Sequence, residues 1–390
     1  MIQLSKLVEI GFSYEQATVL DTFFRNVGYL TVGKDSVLSS AISKIPANNV
    51  LVLTPESVVE YLKPDSQEFM DITNVFVQNG NLEPNRGRVN NVIVYFATLA
   101  SGQTMGDLVD EFISINANWS QLLVNTTTTT DILSIAARAL VNNRLYIAQT
   151  DDDNVADKED ENIALQLKAL NNYNTILCYH TTEGESLAAG LAGICANPNL
   201  GATGILYSTV TNITPEDYAT TTNSNLDDQN VVYYSSVNAV NGGGVSQYAS
   251  PIVMGKNMIS GENSKRRYIR FCVDILLKAK MIDFLKKKLP YEDVSADIGL
   301  SMAKGVLKQL QTNGLIKKDS IVTVGDVTKE TLGWEIRTVY PSVLRDENET
   351  LYNTQTYKFV GYYRDTLIGE KVEIDLAIDP TDATKSLLGF

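Results

Sequence analysis

Short apolar runs rich in β-branched and aromatic residues recur through the first two thirds of the chain. Near-continuous apolar runs of this length are typical of strands that are buried on both faces of a sheet. The runs are residues 28–32, 50–53, 92–96, 121–124, 145–148, 175–179, 204–207 and 231–234. Helical patterns lie between several of them, at residues 54–62, 131–140, 161–170 and 186–195. This alternation predicts an α/β layered body with a largely parallel or mixed central sheet over residues 22–250.

The pattern changes after a glycine run at residues 242–244, which marks a boundary or hinge near residue 245. The polar stretch just before it, at residues 220–230, predicts a loop. Beyond the glycines, apolar residues at helical spacing predict a long amphipathic helix over residues 268–288, which Pro290 ends. The remaining predicted elements are a helix at residues 295–312 and strands at residues 321–324, 334–340 and 357–363. Together they predict a smaller α+β domain at residues 251–369.

Both ends of the chain alternate between apolar and polar residues, which is the pattern of a β-strand with one buried face. The apolar positions are Ile2, Leu4, Val8 and Ile10 at the start, and Val372, Ile374, Leu376 and Ile378 near the end. Exposed apolar strands recruit other chains through their free backbone groups. Residues 1–21 and 370–390 are therefore predicted to be extended β arms that add strands to the sheets of neighbouring subunits. The alternative is that both ends pair within their own domain.

The composition fits an ordinary globular protein, because 44% of the 390 residues are hydrophobic and 20% are charged. No apolar run approaches the roughly 20 residues that span a bilayer, and the first residues lack the layout of a signal peptide. Membrane insertion is therefore not expected. The cysteines Cys178, Cys195 and Cys272 lie far apart in apolar surroundings, which predicts buried thiols in a chain made in a reducing cytoplasm. The net charge of −14 argues against direct nucleic-acid binding.

The charge is distributed unevenly along the chain. Residues 254–290 hold ten basic residues and three acids, a net charge of +7, whereas residues 151–161 hold seven acids and one lysine, a net charge of −6. A solvated face or loop explains either run by itself. A basic block in an acidic chain also suits contact with an acidic protein surface, including another copy of the chain. The residues predicted to make this contact are Lys278, Lys280, Lys286, Lys287 and Lys288.

The usual catalytic constellations are missing from the sequence. His180 is the only histidine and follows an apolar run, at the kind of strand end where α/β enzymes place catalytic groups. A Cys–His dyad would need Cys195 or Cys272 to fold beside it. Metal sites built on histidine and cysteine are short of ligands, and residues 242–244 match neither a P-loop nor a dinucleotide fingerprint. No catalytic residue, metal ligand or cofactor is therefore predicted, and replacing His180 with alanine should cost no more than about 1 kcal/mol.

Several stretches of the sequence resemble the contractile tail sheath proteins of bacteriophages, specifically a group long catalogued as a domain of unknown function. The similar stretches are residues 4–10, 26–33, 56–62 and 269–324, the last including Met-Ile-Asp-Phe-Leu at 281–285 and Leu-Pro-Tyr-Glu-Asp at 289–293. Their order and spacing cover most of the chain. Residues 97–110 lack the insert that some members carry, and the glycine-rich motif before the long helix is reduced to residues 260–262.

The resemblance implies a structural subunit that polymerises as stacked hexameric rings around a tail tube and contracts to drive the tube through the host envelope. It implies as partners other copies of the chain, the tube protein, and baseplate and tail terminator proteins. The expected location is the virion, after assembly in the host cytoplasm. Residues 22–250 would form the outer domain and residues 251–369 the domain next to the tube. Part of the lysine cluster at residues 278–288 would then face an acidic tube or an acidic neighbouring subunit. The alternatives are an α/β enzyme whose chemistry would involve His180 and Asp151, or another tail component such as a baseplate or tube protein.

Overall fold

The computed structural model describes residues 23–33, 37–39, 45–78, 89–196, 205–206, 208–240, 246–255, 258–324 and 327–363. Both predicted arms, at residues 1–21 and 370–390, lie outside the described residues.

Eight strands form the central sheet of the body. They are β1 Asn26–Val32, β2 Val50–Leu53, β3 Asn91–Ala97, β4 Gln121–Val124, β5 Leu145–Thr150, β6 Thr175–Tyr179, β7 Val232–Val240 and β8 Ser246–Gly255. Their order in the sheet is β2-β3-β1-β4-β5-β6-β7-β8. Neighbouring strands are parallel except for the pairs β2–β3 and β7–β8 at the two edges. The predicted α/β body with a largely parallel central sheet is confirmed.

Helices cover both faces of this sheet. They are α1 Val58–Tyr61, α2 Gln67–Val77, α3 Met105–Ile115, α4 Thr129–Val141, α5 Asp153–Ala156, α6 Ile163–Ala169, α7 Leu187–Cys195 and α8 Thr220–Asp228. Side chains alternate along each strand, so that Val92 and Val94 of β3 enter one hydrophobic core while Ile93 and Tyr95 enter the other. Helices α2 and α7 pack on the first face, and α3, α4 and α6 on the second. The body is therefore a three-layer sandwich.

Local sequence signals fix where several helices begin. The Thr104 hydroxyl accepts a hydrogen bond from the Asp107 N–H, and the Asp107 carboxylate accepts one from the Thr104 N–H, which is a capping box at the start of α3. Ser186 caps α7 by accepting a hydrogen bond from the Ala189 N–H at 3.1 Å. Capping of this kind satisfies backbone donors that the first helical turn leaves without partners.

The rest of the described chain forms a smaller α+β part. Its elements are α9 Ser264–Lys286, α10 Asp293–Thr312, β9 Ser320–Val324, β10 Val327–Thr331, β11 Trp334–Val339, α11 Pro341–Glu347, α12 Glu349–Asn353 and β12 Lys358–Tyr363. Strands β9 and β10 pair antiparallel, as do β11 and β12. Ile269 and Phe271 of α9 belong to the same hydrophobic core as the first face of the sheet. The core is therefore continuous between the two parts.

Three details of the chain differ from the sequence prediction. Ile205 and Leu206 form a bend and a turn where a strand was predicted, because an apolar run with one buried residue, Ile205, can also belong to a loop that packs on the core. Residues 220–228 form α8 where a loop was predicted, although only Leu226 of this helix is buried. Strand β8 pairs with β7 and extends the central sheet to Gly255, so the predicted division between residues 250 and 251 falls inside a strand of the body.

Candidate functional site

The predicted basic cluster lies on the second half of α9, and the structure divides it into two groups. Lys278 is largely buried and pairs with Asp274 at 2.5 Å, one helical turn away. Lys280 lies 4.0 Å from Asp283. These two lysines therefore meet carboxylates of their own helix.

Lys286, Lys287 and Lys288 are exposed at the end of the helix, and no residue in the described part of the chain forms an ion pair with them. The backbone N–H groups of Lys287 and Lys288 donate to the carbonyls of Phe284 and Leu285 and close the last turn. Lys288 then adopts a left-handed backbone conformation, with φ at 51°. We call these three lysines the basic tip.

The start of α9 is fixed to the body by Arg267, which is 7% exposed. Its guanidinium donates hydrogen bonds to the side-chain oxygens of Asn143 and Asn174, the residues just before β5 and β6. It also stacks over the ring of Tyr173, with 5.1 Å from the guanidinium carbon to the ring centroid. Burial lowers the pKa of Arg267, yet the side chain stays charged because its ordinary pKa is so high. The basic block therefore attaches the start of α9 to the body through Arg267, and it exposes the lysines of the basic tip at the end of the helix.

An apolar groove lies between α9, α10 and the two-stranded sheet β11–β12. It has a volume of ≈ 570 Å³. Its lining includes Leu277, Met281, Leu307, Ile336, Phe359 and Tyr363. Tyr363 is the last described residue, so the predicted C-terminal arm begins a few residues beyond this groove. Among the described residues, neither outer edge of the β11–β12 pair has a further strand on it. The groove and these edges are thus open to a strand from elsewhere.

His180 follows β6 and is fully buried between two carboxylates. Its Nε2 lies 3.2 Å from Glu185 Oε2, and its Nδ1 lies 3.4 Å from Glu216 Oε2 without hydrogen-bond geometry. The other oxygen of Glu216 accepts hydrogen bonds from the N–H and hydroxyl groups of Thr181 and Thr182, between 2.8 and 3.0 Å. His180 therefore joins the loop after β6 to the loop before α8.

Glu185 has a lowered pKa although burial acts against this. Partial burial alone raises the pKa of Glu185, but hydrogen bonds from the N–H and hydroxyl of Thr214 and from His180 outweigh it. The Thr214 N–H donates at 2.6 Å and its hydroxyl at 2.7 Å. The Glu185 carboxylate is thus held by hydrogen bonds to Thr214 and His180, as carboxylates of structural hydrogen-bond networks are.

A polar cleft of ≈ 530 Å³ lies at the carboxyl ends of β4, β5 and β6, and it brings Asp151 and His180 together as the enzyme alternative requires. Its wall also contains Asp71, which is 6% exposed and accepts hydrogen bonds of 2.7 Å from Tyr29 and Gln67. Burial raises the pKa of Asp71 to about 6. Sequence reasoning did not find Asp71, because its hydrogen bond to Tyr29 of β1 joins residues 42 positions apart, which no local pattern connects.

Neither Cys178 nor Cys195 is prepared as a catalytic nucleophile. The Cys178 thiol donates to the Ala148 carbonyl at 2.9 Å, and burial raises its pKa far above neutrality. Burial also raises the pKa of Cys195 to about 12. All three cysteines are buried thiols, as predicted. No group of three or more potential metal ligands occurs in the described part of the chain, and no described helix is both long and apolar enough to cross a membrane.

Comparison with known proteins gives a match at the level of structure. No protein-family model and no curated protein matches the sequence. A chain in the cryo-EM structure of the anti-feeding prophage helical sheath in its contracted state matches with a TM-score of 0.62 at 10% identity, over 95% of this chain and 99% of that chain. The chain has the fold of a contractile tail sheath-type protein.

Chains in two structures of the anti-feeding prophage baseplate match as well. One, in the six-fold symmetrised baseplate, has a TM-score of 0.62 at 10% identity and covers 95% of this chain and 96% of its own. Another, in the contracted baseplate, has a TM-score of 0.55 at 11% identity and covers 97% of this chain and 99% of its own. The likeness extends over nearly the whole chain, so the sheath-type fold includes both the body and the α9–β12 part. At this identity it establishes the fold, which the sequence resemblance had predicted.

Proposed function

We propose that this chain is a structural subunit of a contractile tail sheath, which polymerises as stacked hexameric rings around a tail tube and contracts to drive the tube through an envelope. The observation that carries the proposal is the match to a chain of a contracted helical sheath over 95% of this chain and 99% of that chain. The proposal includes the tube protein, baseplate and terminator proteins as partners, and the virion as location. Energy for contraction then comes from subunit interfaces, and no nucleotide site is required.

The proposal includes docking of the predicted C-terminal arm in the apolar groove of a neighbouring subunit. An arm with the alternation of residues 371–378 would present Val372, Ile374, Leu376 and Ile378 on one face. Backbone groups of the arm would pair with an open edge of the β11–β12 sheet, and the apolar face would fill the groove. Each fully buried aliphatic side chain of this size contributes roughly 1.5–3 kcal/mol. Such an arm could hold neighbouring subunits together while their other contacts change.

Electron microscopy of the purified full chain tests the proposal directly. Striated tubes or stacked rings are expected, alone or when the tube protein is added. Single six-membered rings that never stack would favour the baseplate function, which the baseplate matches make the second candidate. Uniform monomers at all concentrations, with or without the tube protein, would contradict both.

A pair of substitutions in the predicted C-terminal arm tests the docking. Ile374→Lys puts a charge on the apolar face and should abolish long polymers, because burying an unpaired ammonium is costly. Asp375→Lys alters only the polar face and should leave polymer length nearly unchanged. Truncation to residues 1–369 or 15–390 should also leave folded protein that no longer forms long polymers. Equal effects of the two substitutions, or tubes of normal length from a truncated chain, would refute the arm contact.

A further inference from the structure

The acids of residues 151–161 form a rigid projection at the carboxyl edge of the central sheet, which we call the acidic knob. Its exposed acids are Asp151, Asp153, Asp157, Glu159, Asp160 and Glu161. Val155 and Ala156 of the short helix α5 are buried beneath them, and Gln229 of the body donates a 2.7 Å hydrogen bond to the Val155 carbonyl. The knob is therefore held in place by the core.

The knob has little charge compensation within its own chain. Its single lysine, Lys158, pairs outside the knob with Asp228 at 2.8 Å. No basic residue in the described part of the chain forms an ion pair with the six exposed acids. The body that carries the knob holds twenty-four acids and ten basic residues between positions 22 and 250, so it accounts for a charge equal to the whole net charge of −14.

The basic tip is the complementary surface, and it also offers apolar area. Beside Lys286, Lys287 and Lys288, the end of α9 exposes Leu285 and the start of α10 exposes Val294, with exposed fractions of 42% and 69%. Charged groups around a small apolar patch are typical of a contact with another protein.

Within the described part of the chain, the two surfaces form no ion pair with each other. The acidic knob follows the carboxyl end of β5, whereas α9 is attached at the amino ends of β5 and β6 through Arg267 and its bonds to Asn143 and Asn174. The basic tip lies nineteen residues further along α9, roughly 28 Å at the helical rise. The six residues of β5, roughly 20 Å in length, separate the knob from the attachment point. Any pairing of tip and knob is therefore between copies.

We propose that the basic tip of one copy docks on the acidic knob of the next. This inference rests on the proposed sheath function, and it adds an ionic contact between subunits to the contact through the arms. Because the two patches differ, the contact is head-to-tail and generates a ring or a helix of copies. Exposed ion pairs are individually weak and are screened by salt, so such a contact can break and reform during contraction.

A charge-swap experiment on the full chain tests this contact. The tip variant carries Lys286→Glu, Lys287→Glu and Lys288→Glu, and the knob variant carries Asp157→Lys, Glu159→Lys and Asp160→Lys. Each variant alone should need about a tenfold higher protein concentration to polymerise in low salt, since three exposed pairs are lost. A mixture of the two variants should polymerise at nearly the wild-type concentration, because the swapped tip and the swapped knob attract each other.

A matched control separates the tip from a general change of charge. Lys304→Glu, Lys308→Glu and Lys318→Glu change three exposed lysines of the same part and should not alter the polymerising concentration. Thermal unfolding of all variants checks that the lysines do not act only by complementing the end of the helix dipole.

The outcomes separate the two proposals. If wild-type protein never polymerises, the sheath function fails. If wild type polymerises and the tip variant behaves like the control, the ionic contact is wrong while the function stands. If the tip variant is impaired but the mixture shows no rescue, the tip faces another acidic partner such as the tube, and the inference is overturned.

Discussion

Arg267 should be the side chain on which the attachment of α9 to the body depends most. Replacing it with alanine removes hydrogen bonds from a charged donor to Asn143 and Asn174, and each such bond contributes about 1.5–3 kcal/mol. The stacking on Tyr173 is lost as well, which adds about 0.5–1 kcal/mol. Because such contributions are not fully additive, we expect Arg267→Ala to lower the free energy of unfolding by about 3–5 kcal/mol.

Arg270 provides a matched control on the same helix. It pairs with Glu262 at 2.8 Å, but its side chain is 49% exposed. Exposed ion pairs contribute roughly 0–1 kcal/mol, so Arg270→Ala should be mild. Arg267→Lys should recover only part of the loss, because an ammonium cannot direct two planar donors at two separate amide oxygens.

Urea denaturation followed by far-UV circular dichroism measures these changes, at protein concentrations where sedimentation shows monomers so that assembly does not add to stability. The reasoning is refuted if Arg267→Ala lowers the free energy of unfolding no more than Arg270→Ala does.

Three further substitutions test the interior of the body. The pKa of Asp71 is raised from 3.8 to about 6 in the folded state, so wild-type stability should rise by up to roughly 3 kcal/mol as the pH falls from above 6 to below 4. Asp71→Asn should remove this pH dependence. A variant that keeps this slope would show that another group causes it. His180→Ala should cost about 1–3 kcal/mol, more than the sequence suggested, because it removes a hydrogen bond to Glu185 and leaves the buried Glu216 Oε2 without its nearest polar neighbour, while assembly continues. Normal stability and assembly with loss of infectivity would instead support the enzyme alternative. Gly28→Ala should lower the stability measured by thermal unfolding by about 1–3 kcal/mol, since the new Cβ would lie 2.5 Å from the Trp119 ring. Gly305→Ala, in open space on a helix, should be neutral or stabilising. Similar shifts of the unfolding temperature for both variants would contradict this.

The sequence predicted the sheet better than the connections between its strands. Seven of the eight apolar runs became strands, because strands buried on both faces must be apolar along their whole length. Helix α8 was missed because a nine-residue helix that buries only Leu226 has no apolar stripe. Strand β8 was missed because its residues 246–255 mix serine, proline and glycine with a few apolar positions.

The interaction surfaces were predictable only where they depend on local sequence. The exposed lysines of the basic tip lie close together in the chain, and so do the acids of the knob. Counting charges along the sequence therefore located both surfaces. Lys278 and Lys280 do not belong to the basic tip, because they lie beside Asp274 and Asp283 about one helical turn away. The sequence alone did not separate them from the tip, and the structure showed these two pairs. The partners of Arg267 lie 93 and 124 positions away, and no local pattern connects residues at such distances.

The rings of Phe23 and Phe24 determine how force applied to the start of the chain enters the fold. The centroid of Phe24 lies 5.5 Å from that of Phe271 on α9, and the centroid of Phe23 lies 6.0 Å from it. Arg144, buried at the amino edge of β5, covers the Phe23 ring at 4.9 Å. Tension applied at Phe23 would therefore load β1, β5 and α9 at once. Because the two rings and Arg144 join these three elements, a pull on Phe23 is shared among them, and the body and the long helix move together.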